Sequence, residues 1–234
     1  MFDVFFISYD EPDADRRWAR VKEKAPHAQR IHGVEGILNA HMACARQAIT
    51  GNFFVVDGDA WLVDTWTFDF EPHQKDVVYQ TVAQRDCTIV WPSKNAVNDL
   101  VYGYGGVKLF TKKAFKEVEP AIDITTSTHR PFVAMEELSC LTEFNDTPYG
   151  AWRGAFRECS KLASKIIVNQ VDSETEERLN AWCTLGADRK NGEWAILGAN
   201  MGRDYGLQNK DHPDVLIKIN DYVWLENEFK KLKS

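Results

Sequence analysis

Apolar residues along the first third of the chain alternate between two rhythms. Phe2 to Ser8 is a short, nearly continuous apolar run that stops at Tyr9-Asp10-Glu11-Pro12. This is the pattern of a buried strand ending in a loop. After Pro12 a helix is predicted, with Asp13 and Asp15 in its first turn and Pro26 as its stop. Gln29 to Gly33 reads as a second strand. Leu38, Met42, Ala45 and Ile49 then recur at helical spacing up to Gly51, and Phe53 to Val56 is another buried strand. Strand, helix, strand, helix, strand predicts an α/β fold with helices on the faces of a parallel sheet.

The middle of the chain is more strand-like. Asp76 to Ala83, Cys87 to Trp91 and Lys108 to Phe110 are short strand candidates, separated by Pro92 and by Gly103, Gly105 and Gly106. From Pro148 onward a helix is clear, because Trp152, Phe156, Cys159, Ala163 and Ile166 share one face at a period of 3.6. The segment from Trp182 to Tyr205 is rich in glycine and gives only a weak pattern. Tyr222, Leu225, Phe229 and Leu232 form a closing helical stripe, with Asn220 or Asp221 as its cap. With no repeat, linker or low-complexity tract, residues 1–234 read as one domain.

Composition narrows the function classes. The chain has 234 residues, 28 Lys plus Arg against 35 Asp plus Glu, and a formal net charge of -7. At 44% hydrophobic and 27% charged it is neither disordered nor fibrous. A pI near 5.4 argues against a surface that is a nucleic-acid clamp throughout, while leaving room for a local basic site. Cys44, Cys87, Cys140, Cys159 and Cys183 are scattered without a CxxC pair, which points to buried thiols in a reducing compartment. The N-terminus has no basic stretch ahead of an apolar one, and no apolar run approaches the roughly 20 residues of a membrane span. A cytoplasmic protein without membrane contact is expected.

The segment richest in chemistry is Phe53-Phe54-Val55-Val56-Asp57-Gly58-Asp59-Ala60-Trp61. Two acids lie one residue apart just after a buried strand, at the strand end where open α/β sheets bind ligands. Gly58 lets the backbone turn so that both carboxylates can face one point. Paired hard oxygens suit Mg²⁺ or Mn²⁺, which in turn neutralises a diphosphate leaving group. Two further features suit nucleic acid. Arg153, Arg157, Lys161 and Lys165 recur every four residues and line one side of the Pro148 helix, a stripe that can follow phosphates. Tyr102-Gly103-Tyr104-Gly105-Gly106 reads as a flexible aromatic loop whose Tyr102 and Tyr104 can stack on an exposed base.

Several segments resemble one family. Phe5-Phe6-Ile7-Ser8-Tyr9 with Glu11-Pro12, Ala25-Pro26-His27-Ala28-Gln29-Arg30, Gly33-Val34-Glu35-Gly36-Ile37 and Val55-Val56-Asp57-Gly58-Asp59 carry the likeness in the first third. Thr142-Glu143-Phe144-Asn145 and Ala151-Trp152-Arg153-Gly154-Ala155-Phe156-Arg157-Glu158-Cys159-Ser160-Lys161-Leu162 continue it. They are similar to phage DNA-modifying glycosyltransferases associated with TET/JBP-type base oxygenases, which are related in pattern to the base J glucosyltransferase. The likeness spans most of the chain and is weakest after about Asp188. It implies a GT-A-type single domain with a Rossmann-like mixed sheet flanked by helices. Residues 1–110 would form the nucleotide-sugar-binding half and 111–234 the acceptor-binding half. It further implies a UDP-sugar donor, a DXD-bound Mn²⁺ or Mg²⁺, and DNA carrying 5-hydroxymethylcytosine or 5-hydroxymethyluracil as acceptor.

The same resemblance assigns roles. Ser8, Tyr9 and Glu11 would seat the base and ribose. Arg30 would reach the diphosphate, Gly36 would allow close backbone approach, and Asn39 and His41 would face the donor, His41 being equally suited to packing. Asp59 would be the direct metal ligand, Asp57 and Gly58 would contact donor ribose or metal, and His212 would be a third metal ligand. Met135-Glu136-Glu137 is similar to the xED position of inverting GT-A enzymes, with Glu where Asp is usual. Glu136, Glu137 and Asp146 are therefore the candidate catalytic bases, and a retaining mechanism would need none of them. Two readings from other classes stand beside this one: a two-metal phosphoryl-transfer enzyme, and a non-catalytic nucleotide- or DNA-binding module.

Overall fold

The structure, a computed structural model, describes residues 1–72, 77–78, 82–166 and 170–232, with the backbone only at 77, 78, 103, 104 and 126. The chain divides into two compact units, one of residues 1–94 and 101–143 and the other of residues 95–100 and 144–234. Strands after residue 110 remain hydrogen-bonded to the first unit's sheet.

In the first unit β1 (Asp3–Ser8), α1 (Ala14–Lys24), β2 (Gln29–His32), α2 (Ile37–Gln47) and β3 (Asn52–Val56) follow one another as the apolar pattern predicts. β4 (Ala60–Leu62) and a two-stranded ribbon of β5 (Val77–Val78) and β6 (Val82–Ala83) come next. The rest of the expected 76–83 strand lies outside the described residues. β7 (Thr88–Asn95), β8 (Val101–Thr111), the short α3 (Ile124–Ser127), β9 (Phe132–Ala134) and β10 (Cys140–Thr142) complete the unit. One sheet runs β2-β1-β3-β8-β7-β10-β4, with β9 added on β7. It is parallel through β2, β1 and β3 and antiparallel from β3 to β8 and from β8 to β7. The mixed α/β class with a Rossmann-like sheet flanked by helices is what the structure has.

Period-two alternation sorts the core. Val4 and Phe6 of β1, Phe54 and Val56 of β3, and Leu109 of β8 pack with Ala14 and Val21 of α1. Phe5, Ile7, Phe53, Val55 and Phe110 face the other way and pack with Ala40, Cys44 and Ala45 of α2. Strands covered on both faces must be apolar at every position, which is why they read as unbroken runs. Ile49, expected on the helical stripe, lies beyond the end of α2 and is 86% exposed.

Pro92 and the glycines do not separate strands. Pro92 sits inside β7, where the pairing with β8 shifts register between Trp91 and Ser93. Gly105 and Gly106 sit inside β8: a Cβ at Gly105 would stand 2.6 Å from the Trp91 carbonyl, and one at Gly106 2.5 Å from the Ala60 Cβ. The Tyr102–Gly106 segment is therefore paired strand rather than a flexible loop. Its glycines mark close approach of neighbouring chain.

The second unit is helical: α4 (Pro148–Ser164), α5 (Asp172–Thr184), α6 (Gly192–Gln208), α7 (Pro213–Leu216) and α8 (Tyr222–Lys231). α4 begins at Thr147, whose hydroxyl accepts from the Gly150 N–H, and α8 begins at Asp221, whose carboxylate accepts from the Trp224 N–H. Ile166 lies beyond α4, which closes at Lys165 in a left-handed conformation. The weak 182–205 segment holds the end of α5 and most of α6. Its glycines are a packing device: a Cβ at Gly198, Gly202 or Gly206 would stand 2.3, 2.2 or 2.5 Å from the carbonyl oxygens of Trp152, Phe156 and Ser160. α6 thus lies against α4 along a seam of glycines four residues apart. No helix among the described residues is long and apolar enough to cross a membrane.

This seam makes a specific expectation. Gly202→Ala forces α6 away from the Phe156 carbonyl and costs on the order of 3 kcal/mol, the upper range for overpacking. Gly33→Ala, at φ +73° with nothing within 4 Å of the added carbon, costs only about 1 kcal/mol of backbone strain. Thermal unfolding followed by circular dichroism checks the contrast; equal melting temperatures for the two variants would show that the seam does not limit the approach.

Candidate active site

The carboxyl end of β3 delivers Asp57-Gly58-Asp59 as a tight turn. The Asp57 N–H donates to the Gly106 carbonyl at 2.8 Å and the Ala60 N–H returns to the Asp57 carbonyl at 3.1 Å. The end of β1 lies beside it, and Glu11 reaches over the turn. A Cβ at Gly58 would stand 2.7–2.9 Å from the Glu11 carboxyl group. Gly58 is absent from the residues of positive φ, so a glycine is needed there as space for Glu11 rather than for the turn itself. The Glu11 carboxylate also accepts the Tyr9 N–H at 2.7 Å.

Three carboxylates in one place raise an electrostatic cost, and two buried cations answer it. Lys108 of β8, 6% exposed at its side chain, donates to Asp57 Oδ2 at 2.7 Å. Arg17 of α1 is fully buried and donates to the Glu143 carboxylate at 3.0 Å and to the Glu143 carbonyl at 3.1 Å. Glu143, which also pairs with Arg16, in turn donates its N–H to the Asp59 carbonyl at 2.8 Å. Asp59 keeps part of its surface in solvent. Even so, desolvation, reinforced by the Asp57 and Glu11 charges and opposed by Arg17 and Lys108, pushes its carboxyl up to about 6. Burial lowers His41 to about 4, so its imidazole is neutral near pH 7. Desolvation also lifts the Cys44 and Cys140 thiols to about 12, which leaves neither as a nucleophile.

Two buried acceptors beneath the turn lack hydrogen-bond partners among the described residues: Asp57 Oδ1 and His41 Nε2. His41 Nδ1 lies 2.8 Å from the Ile37 carbonyl, and the ring stands edge-on to Phe110 at 5.3 Å. A buried carboxylate oxygen without a partner, together with the neighbouring Asp59 and Glu11 carboxylates, is a donor set of hard oxygens that fits Mg²⁺ or Mn²⁺. No group of three His, Cys, Asp or Glu that would cage a metal alone is found among the described residues. Such ions are commonly held by one or two carboxylates, with phosphate and water completing the shell.

Of the other residues expected at the donor site, Ser8 and Arg30 meet. Arg30 Nε donates to Ser8 Oγ at 2.9 Å, the guanidinium also pairs with Asp15 at 2.5 Å, and Ser8 Oγ lies 3.0 Å from His32 Nδ1. Tyr9 is 43% exposed at the strand end. Gly36 caps α2 at φ +85°, a left-handed backbone that favours glycine. Asn39 is exposed, and its amide donates to the Glu35 carbonyl.

The remaining candidates have the following surroundings. Glu136 and Glu137 lie exposed in the bend between β9 and β10. Tyr102 pairs across from Ser93 inside β8, and the Tyr104 side chain lies outside the described residues. Asp146 belongs to the second unit and pairs with Lys190 at 3.3 Å. His212, at the exposed N-terminus of α7, is in that unit too.

The basic stripe of α4 is largely engaged within its own unit. Arg157 donates to the Ile219 carbonyl and to Asn220, and Arg153 stacks on Tyr149 and Tyr222. Lys161 pairs with Glu158, and Lys165 has left the helix to pair with Asp172.

Sequence reasoning missed Lys108, Arg17 and Glu143. The signal was a charge inside an apolar run, Gly106-Val107-Lys108-Leu109-Phe110, and an arginine on the buried helical face of Ala14 and Val21. No family model matches the chain, and no match is found among curated proteins.

Asp59 and His41 give the apo protein a masked pH dependence. The raised Asp59 pKa adds stability as pH falls from about 6 toward 3.8, whereas the depressed His41 pKa removes stability between 6.5 and about 4. Asp59→Asn is expected to raise the apo melting temperature at pH 7.5, at about 2–4 °C per kcal/mol, and to unmask a decline below pH 6.5. Melting curves of both proteins from pH 4 to 8 check this. Parallel curves would show that Asp59 does not titrate in that window.

Proposed function

We propose that this protein is a metal-dependent glycosyltransferase of GT-A type, moving a sugar from a UDP-sugar to the hydroxymethyl group of a modified pyrimidine in DNA. The observation that carries the reading is Asp57-Gly58-Asp59 at the carboxyl end of β3 in the parallel part of the sheet, with Asp57 Oδ1 buried and without a hydrogen-bond partner among the described residues. The family resemblance supplies the sugar donor and the DNA acceptor; the geometry supports a metal-diphosphate site.

In this reading Asp59 and Asp57 hold Mn²⁺ or Mg²⁺. The ion's role is to neutralise charge developing on the departing diphosphate. Glu11 closes the turn against Gly58, and Ser8 and Tyr9 at the end of β1, with Arg30 of β2, receive the nucleotide. Arg30 reaches a phosphate by exchanging its exposed partner Asp15. For an inverting reaction a carboxylate takes the acceptor hydroxyl proton, and the exposed Glu136 and Glu137 are free to approach a bound duplex. Five buried, unbridged cysteines suit a cytoplasmic setting, that of the host for a phage-encoded enzyme. The acidic net charge and the internal pairing of the α4 stripe support weak, salt-sensitive DNA binding.

The test is direct. The protein is incubated with Mn²⁺, hydroxymethylated DNA and a panel of nucleotide sugars, and the digested nucleosides are weighed. A mass gain of one hexose or pentose is expected, falling by about 10²–10³-fold in Asp59→Asn, the scale of lost electrostatic stabilisation. No mass gain with any donor, or strand scission in its place, would overturn the reading.

A further inference from the structure

Lys108 is out of place by composition. It interrupts an apolar strand, is 6% exposed at its side chain, and faces Val55 across the β3–β8 ladder. A buried ammonium is tolerated only where a counter-charge meets it. Here that charge is Asp57, held through Oδ2 alone at 2.7 Å, while Oδ1 is buried without a hydrogen-bond partner among the described residues. The ring of His41, fully buried on the same side of the sheet, leaves Nε2 equally unpartnered and adds no positive charge. A carboxylate held at one oxygen by a buried ammonium has its rotation biased, although each oxygen keeps a free lone-pair site. The oxygen left without a partner is the one a cation would meet.

We propose that Lys108 is the positioning residue of the Asp57-Gly58-Asp59 site, gripping Asp57 by Oδ2 so that Oδ1 alone is presented to a divalent cation. This rests on the metal-site reading above and specifies it: Asp57 binds through one oxygen, and its orientation is set from β8 rather than from its own turn. A lysine that merely competed with the cation for Asp57 would act in the opposite sense, because its removal would then free a ligand.

The two senses are separable with Mn²⁺ alone. The full chain is titrated with Mn²⁺ by electron paramagnetic resonance as wild type, Lys108→Met, Asp57→Asn and the double variant. Lys108→Met is expected to weaken Mn²⁺ by about tenfold or more, the usual cost of removing an outer-shell partner of a metal ligand. Asp57→Asn also weakens it, and adding Lys108→Met to Asp57→Asn changes nothing further. In sugar transfer the Lys108→Met loss falls on kcat, with KM for the DNA acceptor unchanged.

Lys108→Met alone leaves a buried carboxylate uncompensated and is prone to fail to fold. The double variant removes both charges, so its comparison with Asp57→Asn decides the matter in that case. Unchanged or tighter Mn²⁺ binding in Lys108→Met overturns the proposal, as do losses that multiply in the double variant. If the wild type binds Mn²⁺ but transfers no sugar, the glycosyltransferase reading falls and the Mn²⁺ cycle still judges Lys108. If the wild type binds no Mn²⁺, both fall.

Discussion

The site depends on the neutralisation of crowded carboxylates by cations that come from beneath and beside it. Glu11, Asp57 and Asp59 stand near one turn, and mutual repulsion would drive them apart or protonate them if nothing opposed it. Lys108 opposes it from under the sheet and Arg17 from the flanking helix. Both are almost wholly removed from water, where a charge acts with less screening than at the surface. Even so, burial and its acidic neighbours push Asp59 up to about 6. A charged ligand arriving at such a site meets groups that already need a counter-charge.

The sheet makes this arrangement possible. β3 is the strand where pairing changes from parallel to antiparallel: β1 lies on one side of it in the same direction and β8 on the other in the opposite direction. The parallel side places the ends of β1 and β3 together, so Glu11 and the acidic turn are neighbours. The antiparallel side brings β8 past the same end, so Lys108 arrives from a strand far along the chain. A wholly parallel sheet would instead have placed another strand end there.

Much of this was legible in local pattern. The β1 to β3 succession was readable because double-faced burial writes apolar runs and because Pro12 and Pro26 bracket α1. Asp57 and Asp59 were readable because two acids directly after such a run have a known address. The cations were not. Lys108 is 51 residues from Asp57, and Arg17 is 126 from Glu143, distances that no periodicity spans. The α4 stripe was legible as spacing, but the partners that engage Arg157, at Ile219 and Asn220, were not, since they lie over sixty residues on. Glycines misled for a single reason. In β8 and α6 they mark places where another backbone comes close, and the eye reads the missing side chain as a break.

The seam between α6 and α4 has a meaning for how far this chain could change while keeping its shape. Most positions of a helix pair tolerate substitution when volume is exchanged between partners, because side chains can trade space. At Gly198, Gly202 and Gly206 there is no side chain to trade with: the obstacle is carbonyl oxygen, present whatever residue α4 carries. Drift in sequence therefore erases the aromatic and acidic landmarks before it erases this spacing. Three small residues four apart, some fifty positions beyond a Pro-initiated helix, would persist as a watermark by which distant kin of the second unit are recognised.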